Sequence, residues 1–200
     1  MPVSRDLSGH LLLGGASLAT IAAQGTPAYV YDLDGIAAEA RALQAAFNDA
    51  PHLVAYAVKA NSAGAIVRTV AAEGCGADIV SGAELLVALG CGVPPEKIVF
   101  NGVAKTDDEL DRAVAAGIGA IQLESVEEIA RIEARGRAVG RRVRVSIRIN
   151  PGVDLEGATH AHIATGHDRA KFGVPRDQVP RAAERIEAST DLTLVGMTSH

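Results

Sequence analysis

The sequence predicts a parallel α/β fold of the (β/α)8 barrel type, with about six of the eight strands inside these 200 residues. Three observations predict it. Strand-like and helix-like stretches alternate about every 20–25 residues from residue 53 onward, the mark of successive βαβ units. The chain is 48% hydrophobic but only 3% aromatic and has no Trp, so Ala, Val, Ile, Leu and Gly must fill the core, as layered α/β packing allows. A doubly wound sheet would usually carry a Gly-rich GxGxxG turn after its first strand, and none is present.

Taken in order, residues 1–25 are Gly-punctuated and weakly patterned, a lead-in expected to pack against something else. Thr26–Asp32 reads as a short strand after a proline, and Asp32 or Asp34 can cap the helix expected over 35–48. Leu53–Val58 reads as the first barrel strand and ends on Lys59. A helix over 63–73 stops at Gly74, and a strand follows at Ala77–Val80. Ser81 caps a helix over 82–90, and Lys97–Phe100 forms the third strand. Thr106 with Glu109 makes a capping box for a helix over 107–116. Ala120–Leu123 is the fourth strand, and Ser125 with Glu128 is a second candidate box, opening a helix over 126–139. Val143–Ile149 is the fifth strand. A long loop over 151–173, a helix over 176–188 and the strand Leu192–Met197 complete the chain.

A barrel collects its functional groups at the C-terminal ends of its strands. Lys59, Asp78, Asn101, Glu124 and His200 fall there or close by. In the first strand Val54, Tyr56 and Val58 face one way, while Ala55, Ala57 and Lys59 face the other. The second face is two methyl groups and a long amine, which suits a strand that leaves room for a ligand. In the fifth strand Arg144, Ser146, Arg148 and Asn150 share one face, although a strand of a covered parallel sheet is normally apolar on both. The bland account is an interior ion pair of Arg148 with Asp78 or Glu124 that fills space, with Lys59 marking a strand that emerges into solvent. The functional account is a site for an electrophilic ligand. A lysine in a semi-enclosed mouth loses solvation, which favours a neutral amine able to attack a carbonyl. A nearby arginine can bond a phenolate or carboxylate, and a histidine at the rim can stack or move protons. Lysine, arginine and histidine at strand ends fit a pyridoxal 5'-phosphate site.

The segments Tyr56–Asn61, Gly76–Leu85, Phe100–Leu110 and Arg148–Gly152, in this order, resemble the barrel-fold pyridoxal-phosphate-dependent decarboxylases, the group with diaminopimelate, ornithine and arginine branches. The loop His160–Gly166 with Lys171–Gly173 is similar to that of the diaminopimelate branch; ornithine-type members usually differ there and carry a Cys where Ala60 stands. The resemblance covers about residues 26–200 and implies an alanine-racemase-like barrel. It also implies that Lys59 bonds covalently to the cofactor and that His200 stacks on its ring. Arg148 would lie near the ring oxygen, with Asp78 and Glu84 as supporting groups. Asn101-Gly102-Val103 departs from the commoner His-Gly or Thr-Gly-Asn run. The implied reaction is decarboxylation of meso-2,6-diaminopimelate to L-lysine, the last step of lysine biosynthesis. Alternatives are an ornithine- or arginine-type decarboxylase, a racemase on the same barrel, and a non-catalytic pyridoxal-phosphate-binding or interaction protein. The family's phosphate-binding glycines, its acidic partner for the ring nitrogen and its cross-dimer cysteine would lie beyond His200. The expectation is therefore a part of a longer, homodimeric protein, with residues 1–25 packing against a C-terminal β domain and 26–200 forming an incomplete barrel.

Other features exclude or add little. A net charge of −5 and a pI near 5.7 argue against a nucleic-acid surface. No apolar run reaches the ~18–20 residues of a membrane span. The start of the chain lacks the cationic flank of a secretory signal, so a cytoplasmic protein is expected. Cys75 and Cys91 are too few and too far apart for a disulfide framework or a CxxC site, and read as small buried hydrophobes. His160, His162 and His167 lack a carboxylate or Cys partner at metal-ligand spacing, so a substrate-covering loop is expected and no metal. The Arg-rich run from Arg131 to Arg142 reads as a solvated helix face and strand entry.

Overall fold

The computed structural model describes residues 3–151 and 172–200. The lead-in forms three short strands, β1 (Val3–Arg5), β2 (Leu11–Leu13) and β3 (Ala16–Ser17), paired antiparallel in that order. A one-turn helix α1 (Leu18–Ala22) follows, with Ser17 accepting from the Thr20 N–H. The strand expected at 26–32 does not form. Tyr29 is 92% exposed, and no neighbouring strand among the described residues supplies the ladder that would convert an extended segment into a strand. Asp32, not Asp34, caps α2 (Leu33–Ala45), accepting from Gly35 N–H at 3.0 Å.

The alternation then runs as the sequence requires: β4 (Ala55–Ala57), α3 (Gly64–Ala72), β5 (Gly76–Ile79), α4 (Gly82–Gly90), β6 (Ile98–Phe100), α5 (Asp107–Ala116), β7 (Ala120–Leu123), α6 (Glu128–Val139), β8 (Val143–Asn150), β9 (Val174–Pro175), α7 (Val179–Glu187) and β10 (Leu192–Ser199). The strands are parallel in the order β10-β8-β7-β6-β5-β4, and β9 adds a short pairing at the end of β8. Among the described residues six barrel strands are therefore present in sequential order, as an open, partial (β/α) barrel with β4 and β10 at its edges. Sequential addition of parallel strands through helices is what barrel connectivity demands.

The buried core lies between the sheet and the helices. Ile79, Ile98, Phe100, Ile121, Leu123, Val145 and Ile147 point out of the strands and meet Leu85, Leu110, Ile129, Ile132 and Ile186 from the helices. The opposite face is small on β4 and polar on β8, as their patterns anticipate, while β6 presents Val99 there. Close approach requires a glycine at position 76, where a Cβ would stand 2.2 Å from the Lys97 carbonyl oxygen.

The helix starts show which sequence signals decide. Ser81 and Thr106 cap α4 and α5, and Thr106 with Glu109 forms a full capping box. Ser125 does not cap α6. The Glu128 carboxylate is held by the Glu124 N–H and the Lys105 ammonium, so it closes no box on Ser125. Cys75 is buried, but Cys91 is only partly so; its thiol lies 3.6 Å from the Gly64 carbonyl oxygen. Among the described residues no helix is long and apolar enough to cross a membrane.

Candidate active site

A cavity of about 440 Å³ opens at the C-terminal ends of the parallel strands. Each strand delivers its share through the two-residue period. β4 registers Ala55 against Gly76 and Ala57 against Asp78, so the small-residue face and Asp78 look the same way. Leu53, Ala55 and Lys59 line the cavity from this edge, Asp78 from β5, Asn101 from the end of β6, Gln122 from β7, Arg148 from β8, and Thr198 and His200 from the end of β10. Lys59, Asp78, Arg148 and His200 thus border one cavity although 141 residues separate the first from the last (200 − 59). Lys59 lies one step later in structure than expected. It occupies a single 3-10 turn, Val58–Ala60, directly after β4, and it is exposed. Val58 is fully buried in that turn and Tyr56 donates its hydroxyl to the Asn61 carbonyl oxygen at 3.1 Å, so the turn is fixed on both sides of the lysine.

The polar groups of the wall are held by partners. Arg148 Nη1 lies 3.1 Å from Glu124 Oε1, with both side chains buried, and the guanidinium sits 4.8 Å from the centroid of the Phe172 ring. The interior ion pair of the bland account exists, and its carboxylate is Glu124, not Asp78. Asp78 instead accepts from the Asn101 side-chain amide. The pairing does not remove Arg148 from the site, since it still borders the cavity. Gln122 donates to the Thr198 hydroxyl and approaches Ser146 Oγ at 3.5 Å, so a polar layer lies alongside the cavity. Glu84 turns away to accept from the Val80 N–H at 2.8 Å and shapes the β5–α4 turn. Arg144 lies near the start of β8 and lines a separate recess with Arg141 and Arg142.

Sequence patterning missed Thr198 and Lys105. Thr198 could have been found by counting back two residues from His200 along the same strand face. Lys105, whose side chain is fully buried against Glu128 at 3.0 Å, carries no comparable local signal. Burial pushes its ammonium below the ordinary lysine value, an effect the Glu128 carboxylate opposes. His160, His162, His167 and Lys171 lie outside the described residues. No group of three or more His, Cys, Asp and Glu among the described residues is arranged to hold a metal.

Residues 33–200 match the family described as pyridoxal-dependent decarboxylase, pyridoxal binding domain. The chain belongs to that family. It is 42% identical over 197 residues to the diaminopimelate decarboxylase of Zymomonas mobilis, covering 96% of this chain and 46% of the relative. It is 40% identical over 193 residues to that of Aquifex aeolicus, covering 96% and 45%. A crystal structure of diaminopimelate decarboxylase from Helicobacter pylori complexed with L-lysine shares the fold at a TM-score of 0.84 with 35% identity, over 91% of this chain and 46% of that one. The chain thus spans about half the length of the relatives it matches. The cofactor of the family is pyridoxal phosphate. The lining of the cavity suits that group chemically: Lys59 offers a primary amine, Arg148 a guanidinium and His200 an imidazole, with the small Ala55 beside them.

Proposed function

We propose that this chain is the cofactor-holding part of an enzyme that decarboxylates meso-2,6-diaminopimelate to L-lysine, the last step of lysine biosynthesis. The observation that carries the reading is the convergence of Lys59, Asp78, Arg148 and His200 on one cavity at the strand ends. The relatives at 42% and 40% identity, both diaminopimelate decarboxylases, support the choice of substrate.

When bound, pyridoxal phosphate supplies the electron sink that takes up the bonding pair left by a departing carboxylate. The residues of this chain supply position and charge. Lys59, exposed at the cavity edge, would hold the aldehyde through Nζ. Arg148 would bond an oxygen of the ring, and its pairing with Glu124 keeps the guanidinium at one place on the wall. His200 would lie against the ring, and Asp78, steadied by Asn101, would set a negative charge on the β5 side. The phosphate partners and the residues that read the distal end of the substrate would belong to the part of the relatives' length that this chain does not span. The same reading makes the full protein a cytoplasmic homodimer and pairs residues 1–25 with a C-terminal β domain.

The test is release of CO₂ and L-lysine from meso-diaminopimelate by the full protein with pyridoxal phosphate, alongside ornithine and arginine. Turnover of ornithine or arginine in preference to meso-diaminopimelate would overturn the substrate. The 200-residue chain alone is expected to show no robust turnover. Lys59→Ala is expected to abolish the visible absorbance of covalently held pyridoxal phosphate, and persistence of that band would overturn the role of Lys59.

A further inference from the structure

The wall of the cavity is gripped from behind by one carboxylate. Glu124, buried just after β7, receives three donors from three different segments among the described residues. Its Oε1 accepts from Arg148 Nη1 at 3.1 Å and from the Gly102 N–H at 3.1 Å; its Oε2 accepts from the Gly173 N–H at 3.1 Å. The Glu124 N–H donates to Glu128 Oε2 at 2.7 Å, and Glu128 pairs with Lys105. Lys105 Nζ in turn donates to the Gly102 carbonyl oxygen at 2.6 Å. Gly102 is therefore held through its N–H by Glu124 and through its C=O by the Lys105–Glu128 pair. Two of the groups on Glu124, Arg148 and Gly102, border the cavity, as does Phe172 beside Gly173.

We propose that Glu124 is a positioning residue of this site: its one negative charge sets the Arg148 guanidinium and ties the backbone at Gly102, after β6, and at Gly173, next to β9, to it as a single unit. The proposal rests on the reading that the cavity holds pyridoxal phosphate. The physical reason is the acceptor capacity of a buried carboxylate. It can satisfy three donors at once, whereas a glutamine of the same shape offers one acceptor oxygen and an amide donor that would oppose a donor already there. Losing the charge also leaves Arg148 buried without its partner.

The test uses the full protein. Pyridoxal phosphate is titrated by absorbance into wild type, Glu124→Gln, Arg148→Gln and the double variant. Each single change is expected to weaken binding about tenfold or more, as loss of a buried charged hydrogen bond does. The double variant is expected to bind within about twofold of the weaker single, because groups acting as one unit are not additive. Wild-type affinity in Glu124→Gln, or a double-variant loss equal to the product of the single losses, overturns the proposal. A core change far from the cavity, Ile132→Val, controls for stability: it should lower the urea midpoint and leave the affinity in place. If Glu124→Gln does not fold, Glu124→Asp keeps the charge but withdraws it by one methylene, and an unchanged affinity there overturns the proposal equally. The cofactor reading fails separately: the visible band would be missing in wild type or would survive Lys59→Ala. A band that needs Lys59 but ignores Glu124 removes only the role given to Glu124.

Discussion

Gly173 sits where a side chain has no room. Its φ is +82°, and a Cβ there would stand 2.9 Å from the Asn150 nitrogen and 3.1 Å from the Arg148 carbonyl oxygen. Both are backbone atoms of β8, so the clash cannot be relieved by rotating a side chain. Gly173→Ala is expected to cost about 1–3 kcal/mol, the cost of holding a non-glycine residue in a sparsely populated conformation. Urea unfolding of the purified variant checks it. The same change would press on the backbone of Arg148 itself and loosen the Glu124 bond to the Gly173 N–H. At this scale the sequence was most informative where a residue's chemistry is unusual for its place. Lys59 after two alanines, and Arg148 on a polar strand face, were both visible as anomalies. The choice of Glu124 over Asp78 as the partner of Arg148 was not, because both stand at strand ends and only the stagger of neighbouring strands separates them.

At the scale of the element, α5 shows how a cap can join two elements. Glu109 closes the capping box by accepting from the Thr106 N–H at 2.9 Å, and its other oxygen accepts from the Gly82 N–H at 2.7 Å, at the start of α4. The Gly82 bond, then the Thr106 bond, holds its carboxyl below the usual carboxylate range. A folded-state value below the unfolded one gives stability that is fully present above the unfolded value of ~4.3 and lost as pH falls through the folded value. Glu109→Gln is expected to lower stability by about 1 kcal/mol at pH 7, within the range for lost caps. Its difference from wild type should shrink below pH 4, as urea midpoints at pH 7 and pH 3 would show. The box at Thr106 was legible because both halves are local. The box expected at Ser125 failed because a residue 23 positions earlier, Lys105, claims the Glu128 carboxylate.

Across the whole molecule, the sheet ends in two unpaired edges among the described residues, β4 and β10. Met197 and Val195 of β10 and Leu53 before β4 are exposed there. Exposed apolar edge strands invite pairing with another chain. The isolated 200-residue chain is expected to self-associate with concentration, seen as a rising mass in light scattering. Met197→Lys, which places a charge on the β10 edge, is expected to shift the population toward monomer. A concentration-independent monomer mass for the unmodified chain would count against this account.

The sequence by itself determined the barrel class, the order of the six strands and the positions of Lys59, Asp78, Arg148 and His200 at or near their ends, because hydrophobic period, caps and glycines act over a few residues. Tertiary structure alone decided that Thr26–Asp32 stays out of the sheet, since a strand exists only where a partner completes its hydrogen bonds. It likewise decided that Lys105 is buried, that Glu124 gathers Arg148, Gly102 and Gly173, and that Asp78 pairs with Asn101. Those outcomes depend on which side chains meet across strands tens of residues apart, and no local pattern records that distance.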